Sequence, residues 1–283
     1  MMDKSQKFSL EKFAAEIRLH TTKEVVKRGF GHLGGSLSVV DALAVLYGKQ
    51  LKCDPKNPKD PDRDYLVMSK GHAGPAVYAT LALKGFFPIE ELETLNQPGT
   101  NLPSHCDRNK TIGVDATTGS LGQGSSQACG IALGNKLAGR QNYTYLFTGD
   151  GESNEGQIWE AALFASQQKL DHLIWFVDYN RKQLDGATDE VMSMGSIVDK
   201  FKAFGFHAVE VDGHDVCAID DAIEQAKQVK DQPSCIVLNT IKGKGLDELE
   251  KMALNHHIAI DEAFGKSSVA FFEEALATMK EEA

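Results

Sequence analysis

Hydrophobic positions along the chain follow two periods. From residue 9 to 29, Leu10, Phe13, Ala14, Ile17, Thr21 and Val25 recur at helical spacing and Gly29 follows, which predicts an amphipathic helix closed by a glycine. A glycine-rich stretch, Gly29-Phe-Gly-His-Leu-Gly-Gly, then leads to a second apolar helix over residues 38–47. Between Cys53 and Asp64, Pro55, Pro58 and Pro61 alternate with charged residues, the composition of an exposed connector. Beyond it, short apolar runs alternate with helical stretches, the pattern of a parallel sheet covered on both faces. Strands are expected at 65–68, 143–148, 173–178, 207–211 and 235–241. Helices are expected at 155–168, with Trp159, Ala162, Leu163 and Ser166 on one face, and at 218–230, with Ile219, Ala222, Ile223 and Ala226 inward. Val269, Phe272, Ala275, Leu276 and Met279 form a last amphipathic stretch. No repeat interrupts this order, so one α/β domain over residues 1–283 is the economical expectation.

Composition narrows the classes. A chain of 283 residues, 42% hydrophobic and 25% charged, supports a large packed core and excludes a disordered tail or a disulfide-stapled mini-protein. Its 30 basic and 40 acidic side chains leave a net charge of −10, opposite in sign to a protein that grips a nucleic-acid backbone. Cys53, Cys106, Cys129, Cys217 and Cys235 form no C-x-x-C pair and read as reduced thiols. No run of about 18 apolar residues offers a membrane span and the first residues lack a signal-peptide core, so a cytoplasmic protein with no membrane partner is expected.

Candidate chemistry lies where expected strands run into helices, since ligands in open parallel sheets bind beyond the carboxyl ends of strands. The run ending at Thr148 continues into Gly149-Asp150-Gly151-Glu152-Ser153-Asn154, with Asn154 and Gln157 spaced as a capping box. Glycines at a helix N-terminus suit a phosphate, whereas Asp150 repels one. A divalent cation between carboxylate and phosphate removes the conflict. Asn180, thirty positions on and just past the run Leu173-Ile-Trp-Phe-Val-Asp178, is the expected second oxygen ligand, with a carbonyl near Lys182 as the third. Plain turn-forming roles for Asp150 and Asn180 are the alternative. A calcium loop of the EF-hand type is excluded, because Lys182 and Gln183 stand at its fifth and sixth positions. Gly119-Ser120-Leu121-Gly122-Gln123-Gly124 has the order G-x-x-G-x-G, with no clear strand before it, and is not a dinucleotide fingerprint.

Gly149-Asp150-Gly151 followed by Asn180 resembles the thiamine diphosphate motif, and five further segments resemble the transketolase family in order. These are Gly31-His32-Leu-Gly-Gly, Ser69-Lys70-Gly71-His72, Thr117 to Gly124, Leu184-Asp185-Gly186 and Thr240-Ile-Lys-Gly-Lys-Gly245. The resemblance implies a thiamine-diphosphate-binding fold, a parallel sheet with helices on both faces. It implies that Asp150, Asn180 and the carbonyl of Lys182 hold Mg2+ or Ca2+, while Gly151, Glu152 and His72 serve the diphosphate. Gly119, Ser120 and Leu121 would line the cofactor channel, and His32, His105 and His257 would face the substrate, His257 also near the diphosphate. Imidazoles suit contacts with sugar hydroxyls near neutral pH. Glu155 matches a position at the family's dimer contact; a first-turn glutamate favoured by the helix dipole is the plainer reading.

Three departures bear on these expectations. The family usually shows His-Gly where this chain has Asn255-His256-His257-Ile258, so either His256 or His257 fills the functional position. Ser120 stands where full-length members commonly have proline. Lys242 and Lys244 either add charge near the diphosphate or are solvated loop lysines. Full-length members are more than twice as long. The pyrimidine-binding and C-terminal domains, the first of which supplies the glutamate that activates the cofactor, are expected on a partner chain in a heterotetramer of two plus two. The implied activity is transfer of a two-carbon ketol unit from a ketose phosphate to an aldose. An α subunit of a 2-oxo acid dehydrogenase shares the Asp150 and Asn180 motif but lacks the His32 and Thr117 to Gly119 segments. A non-catalytic module that keeps the fold is the remaining alternative, and the presence of Asp150, Asn180 and His72 argues against it.

Overall fold

The computed structural model describes residues 2–279. Five parallel strands, β2 (Tyr65–Met68), β3 (Thr144–Gly149), β4 (Leu173–Tyr179), β5 (His207–Asp212) and β6 (Ser234–Asn239), form one sheet in the order β2-β3-β4-β6-β5. Two short strands, β1 (Phe30–Gly31) and β7 (Ile258–Ala259), pair antiparallel outside it. All five expected strands are present, each end within two residues of its expected place.

Strands β3, β4 and β6 are buried on both faces, as parallel strands covered by helices are, whereas the edge strand β5 is partly exposed, and strand periodicity sends alternate side chains to opposite layers. Tyr145, Phe147, Ile174, Phe176, Ile236 and Leu238 pack into one core with α1 (Lys4–Arg28), α2 (Leu33–Leu37), α3 (Val40–Val45), α4 (Gly74–Leu83), α9 (Val216–Gln228) and α11 (Glu262–Thr278). Leu146, Leu173, Trp175, Val177, Cys235 and Val237 face the other, with α5 (Gln123–Leu137), α6 (Gly156–Gln167) and α8 (Ile197–Ala203). Two single-turn helices, α7 (Thr188–Met192) and α10 (Asp247–Lys251), ride on connections at the carboxyl edge. The proline-rich segment from Cys53 to Asp64 has no helix or strand, as expected.

Helix boundaries differ from the expectations in ways the side chains explain. α1 starts five residues early because the Asp3 carboxylate caps it, accepting from the Gln6 N–H at 2.7 Å, and it ends at Gly29 in the left-handed conformation. The expected second helix is two short helices and a π turn at Leu46–Gln50. The capping box at Asn154 and Gln157 does not form. Gly151–Asn154 is a 3-10 turn, α6 begins at Gly156, and the Asn154 amide donates instead to the Met192 carbonyl at 3.3 Å. That turn is held from within, by Ser153 Oγ donating to the Gly149 carbonyl at 3.0 Å. α6 also turns a different face inward: Ile158, Ala161, Ala162 and Ala165 are buried, whereas Leu163 is 62% exposed.

Gly124 marks the tightest contact between α5 and the sheet edge, where a Cβ would lie 2.5 Å from the Ser69 side chain and 2.6 Å from its Cα. Alanine gains about 1 kcal/mol of helix propensity there, but overpacking against backbone costs roughly 1–3 kcal/mol. Gly124→Ala is therefore expected to lower stability by up to about 2 kcal/mol, read as a lower urea midpoint with unchanged slope.

Candidate functional site

The carboxyl edge of the sheet is where apolar strands end in polar residues. Met68 is followed by Ser69 and Lys70, Gly149 by Asp150, and Asn239 by Thr240, while β4 ends Val177-Asp178-Tyr179 with Asn180 just beyond. Register puts Gly149 beside Asp178 and Tyr179 beside Asn239, so these polar groups converge.

Lys70 and Asp178 form the centre of that edge. They are 1% and 0% exposed, with Nζ 2.5 Å from Oδ2. Lys70 also donates to the Gly35 carbonyl at 2.7 Å, and Asp178 accepts from Ser38 Oγ and Asn180 Nδ2 at 2.7 Å each and from Thr240 Oγ1. Burial alone would raise the Asp178 pKa, but Lys70 and these donors hold it below the usual carboxylate range. The pair thus joins α2, β2, β4 and β6 and aims the Asn180 amide.

Beside it Asp150, 3% exposed, accepts from the Gly151 N–H at 2.8 Å and the Arg181 N–H at 2.6 Å. Arg181 takes a positive φ of 62° to present that N–H, and its guanidinium packs over the Tyr179 ring. Asn180 Oδ1 accepts from the Lys182 N–H at 3.1 Å. The Lys182 carbonyl accepts from Lys242 Nζ at 2.9 Å. Asp150, Asn180 and Lys182 line one cavity, and a carboxylate, an amide oxygen and a carbonyl are hard oxygen donors of the kind that suits a divalent cation sharing phosphate oxygens. Burial, then the Asp178 charge, pushes the Asp150 pKa up to about 7. The pocket therefore holds a buried carboxylate with no ion pair among the described residues, and a cation fits it. Gly151 is required sterically, since a Cβ there would stand 2.7 Å from the Gln183 Cβ.

A cavity of 320 Å3 opens on this set and is lined by His72, Leu121, Gly151, Glu152, Glu155, Asn180, Lys182, Lys242 and His256 among others. Glu152 is buried in its wall as a clamp: it accepts from the Gly122 N–H at 2.8 Å, the Gly149 N–H at 3.0 Å and Ser69 Oγ. Cavities of 430 and 390 Å3 lie against α1 and at the amino edge of the sheet, and neither gathers such a donor set.

Five imidazoles extend from the cavity. His32 has its ring centroid 5.5 Å from His72, 5.2 Å from His105, 5.3 Å from His256 and 4.7 Å from His257. Burial first, then His105, His257 and Lys242, lowers the His32 pKa to about 4. Burial and Lys242 lower that of His256 to about 3. Burial also lowers His72 and His105, so these four rings are neutral at pH 7. Lys242 Nζ lies 3.1 Å from His256 Nδ1, which must accept, so the His256 proton sits on Nε2. Of the two adjacent histidines, His256 lines the cavity; His257 is exposed and meets His32 and the Phe30 ring. Gly119 has a φ of 143° and lies against the His105 ring, while Ser120 is exposed outside the cavity.

Comparison with known proteins identifies the family. The family described as transketolase, thiamine diphosphate binding domain, matches residues 9–277. The chain belongs to the transketolase family. A 6-deoxy-6-sulfo-D-fructose transketolase subunit of Clostridium sp. (strain MSTE9) is 53% identical over 95% of this chain and 98% of its own length. An apulose-4-phosphate transketolase subunit of Phocaeicola vulgatus is 36% identical over 96% of this chain and 94% of its own length. A transketolase variant from Pichia stipitis superimposes with a TM-score of 0.88 at 30% identity, over 98% of this chain and 42% of that one. The chain thus spans less than half of the length of such transketolases.

Within this transketolase fold, several supporting residues escape sequence reasoning. Lys70 and Asp178 are visible as charged residues directly after or within apolar runs. Asp41 is not: it accepts from Arg18 and pairs with His214 Nδ1 at 2.8 Å, while His214 Nε2 accepts from the Ile241 N–H at 2.9 Å, linking four distant segments. Removing one member of a buried pair strands its partner. Lys70→Met is expected to cost about 3–5 kcal/mol, seen as a fall in thermal midpoint, and a loss under about 1 kcal/mol would deny the pair its central role.

Proposed function

We propose that this chain is the thiamine-diphosphate-binding subunit of a two-subunit transketolase, working with a C-terminal subunit in a heterotetramer. The observation that carries the reading is the convergence of Asp150, Asn180 and the Lys182 carbonyl on the cavity that opens toward five clustered histidines. In this reading Asp150, Asn180 and Lys182 hold Mg2+ or Ca2+, and Gly151 and His72 contact the diphosphate. Gly119, Ser120 and Leu121 border the cofactor. When bound, thiamine diphosphate supplies the electron sink for cleavage beside the ketose carbonyl. His32, His105, His256 and His257 hold the substrate hydroxyls; the first three do so as neutral rings that both donate and accept. The relatives named for 6-deoxy-6-sulfo-D-fructose and for apulose-4-phosphate support a ketose with an anionic group as donor.

Mixed with a C-terminal transketolase subunit, the chain is expected to form a new ketose from a ketose phosphate and an aldose, while the isolated chain is inactive. Full activity of the isolated chain would overturn the two-subunit reading.

Asp150 binds metal as its carboxylate, so cation and proton compete. With a pKa of about 7 in the free chain, the ionised fraction falls roughly tenfold per pH unit below that value. Calorimetry at pH 6, 7 and 8 should therefore find Mg2+-dependent thiamine diphosphate binding strengthening up to about pH 7 and levelling above it. Asp150→Ala should abolish the metal dependence while leaving the chain folded.

A further inference from the structure

Lys182 faces two ways. Its carbonyl belongs to the oxygen set with Asp150 and Asn180, and its own N–H is held by Asn180 Oδ1 at 3.1 Å. Its side chain runs away from the cavity, and Nζ donates to the Glu250 and Met252 carbonyls at 2.9 Å each. Those carbonyls end α10, a five-residue helix whose last acceptors have no intrahelical partner. An ammonium there satisfies them and suits the negative end of the helix. So short a helix does not persist without tertiary support.

The segment directly after α10 forms the wall of the site. Asn255 is buried and donates to the Leu249 carbonyl at 2.8 Å and to the Lys242 carbonyl at 3.2 Å. Its own carbonyl presses on Gly34, where a Cβ would lie 2.2 Å away. His256 and His257 come next. The position of these histidines therefore depends on α10, and α10 is tied to the oxygen set by one side chain. Lys242 closes the circuit, since its ammonium holds both the Lys182 carbonyl and His256 Nδ1.

We propose that Lys182 is a positioning residue that couples cation and cofactor binding to the placement of the histidine-bearing segment 253–257. The coupling rests on the reading of Asp150, Asn180 and the Lys182 carbonyl as the metal set. A shift of the Lys182 backbone on the cavity side moves the last turn of α10 and, through Asn255, the His256 ring. Releasing the Lys182 carbonyl to a cation leaves the Lys242 ammonium to His256 alone.

The test is hydrogen exchange on the full chain, with and without MgCl2 and thiamine diphosphate, for the native protein, Lys182→Met, Lys182→Arg and Asp150→Ala. In the native chain the two ligands together should slow exchange across 247–257. In Lys182→Met the same amides should exchange at least about tenfold faster without ligand. Supporting groups around metal ligands change affinity about 10–100-fold, so thiamine diphosphate at fixed Mg2+ should bind about tenfold more weakly and no longer protect 247–257. Residues 144–149 should exchange as in the native chain, showing an intact sheet. Lys182→Arg, which keeps a cation at the two carbonyls, should recover most of the protection and serves as the folded comparison if Lys182→Met is unstable. Native exchange across 247–257 in Lys182→Met would overturn the proposal, and so would faster exchange with unchanged cofactor affinity and unchanged ligand protection. Native affinity in Asp150→Ala would instead refute the metal reading, whatever the Lys182 variants do.

Discussion

The buried ion pair of Lys70 and Asp178 is the constraint on which the rest of the site depends. Two opposite charges without solvent are tolerated only when their remaining hydrogen-bonding capacity is filled. Here it is filled by the Gly35 carbonyl, Ser38, Asn180 and Thr240, drawn from distant parts of the chain. Each partner is thereby fixed to the same point on the carboxyl edge. Asn180 is aimed toward Asp150 through this point, and α2, which begins just after His32, is anchored to it. The Asp178 charge that steadies the edge is also one that helps raise the Asp150 pKa, so the pair stabilises the scaffold while making its neighbour's carboxylate harder to ionise.

The net charge of −10 concerns the molecular surface, whereas the cavity is governed by local terms. Lys242 is buried beside Lys70, and burial lowers its pKa to about 8 even with Asp150 and Asp178 opposing. Its proximity in turn disfavours charge on His256 and His32. The result is a site in which the Lys242 ammonium lies beside four imidazoles, His32, His72, His105 and His256, that stay neutral. Such rings offer hydrogen bonds of either sense to a sugar without adding charge that would compete with a metal.

Most of the sheet was legible because parallel strands buried on both faces are written as continuous apolar runs, and Leu173-Ile-Trp-Phe-Val is unambiguous. Helix ends were less so. The Asn154 and Gln157 pattern satisfied the spacing of a cap, yet the chain needed that turn for Gly149 and Glu152, whose contacts are non-local. On α6 the four named positions gave one stripe, but Ala161 and Ala165, small enough to sit close to the sheet, turned another face inward. Candidate site residues are placed by motif, and Asp150, Asn180 and Lys182 line one cavity. That His256 and not His257 lines the cavity follows from its contact with Lys242, which lies in a different loop and leaves no local pattern in the sequence. The Arg18, Asp41 and His214 network was invisible because no local pattern relates residues 173 positions apart.

α1 packs on α11, with Lys23 Nζ 2.7 Å from Glu273, and Phe30 and Gly31 pair with Ile258 and Ala259. The first helix therefore finds its final neighbour only after about 230 further residues have been made. During synthesis the apolar stripe of α1 and the strands behind it must wait with their surfaces partly uncovered. A parallel sheet of this order closes slowly for the same reason, since its contacts join distant parts of the chain. The apolar stripe of α1 thus stays partly uncovered until α11 has left the ribosome, when the strands that carry the site have already been made.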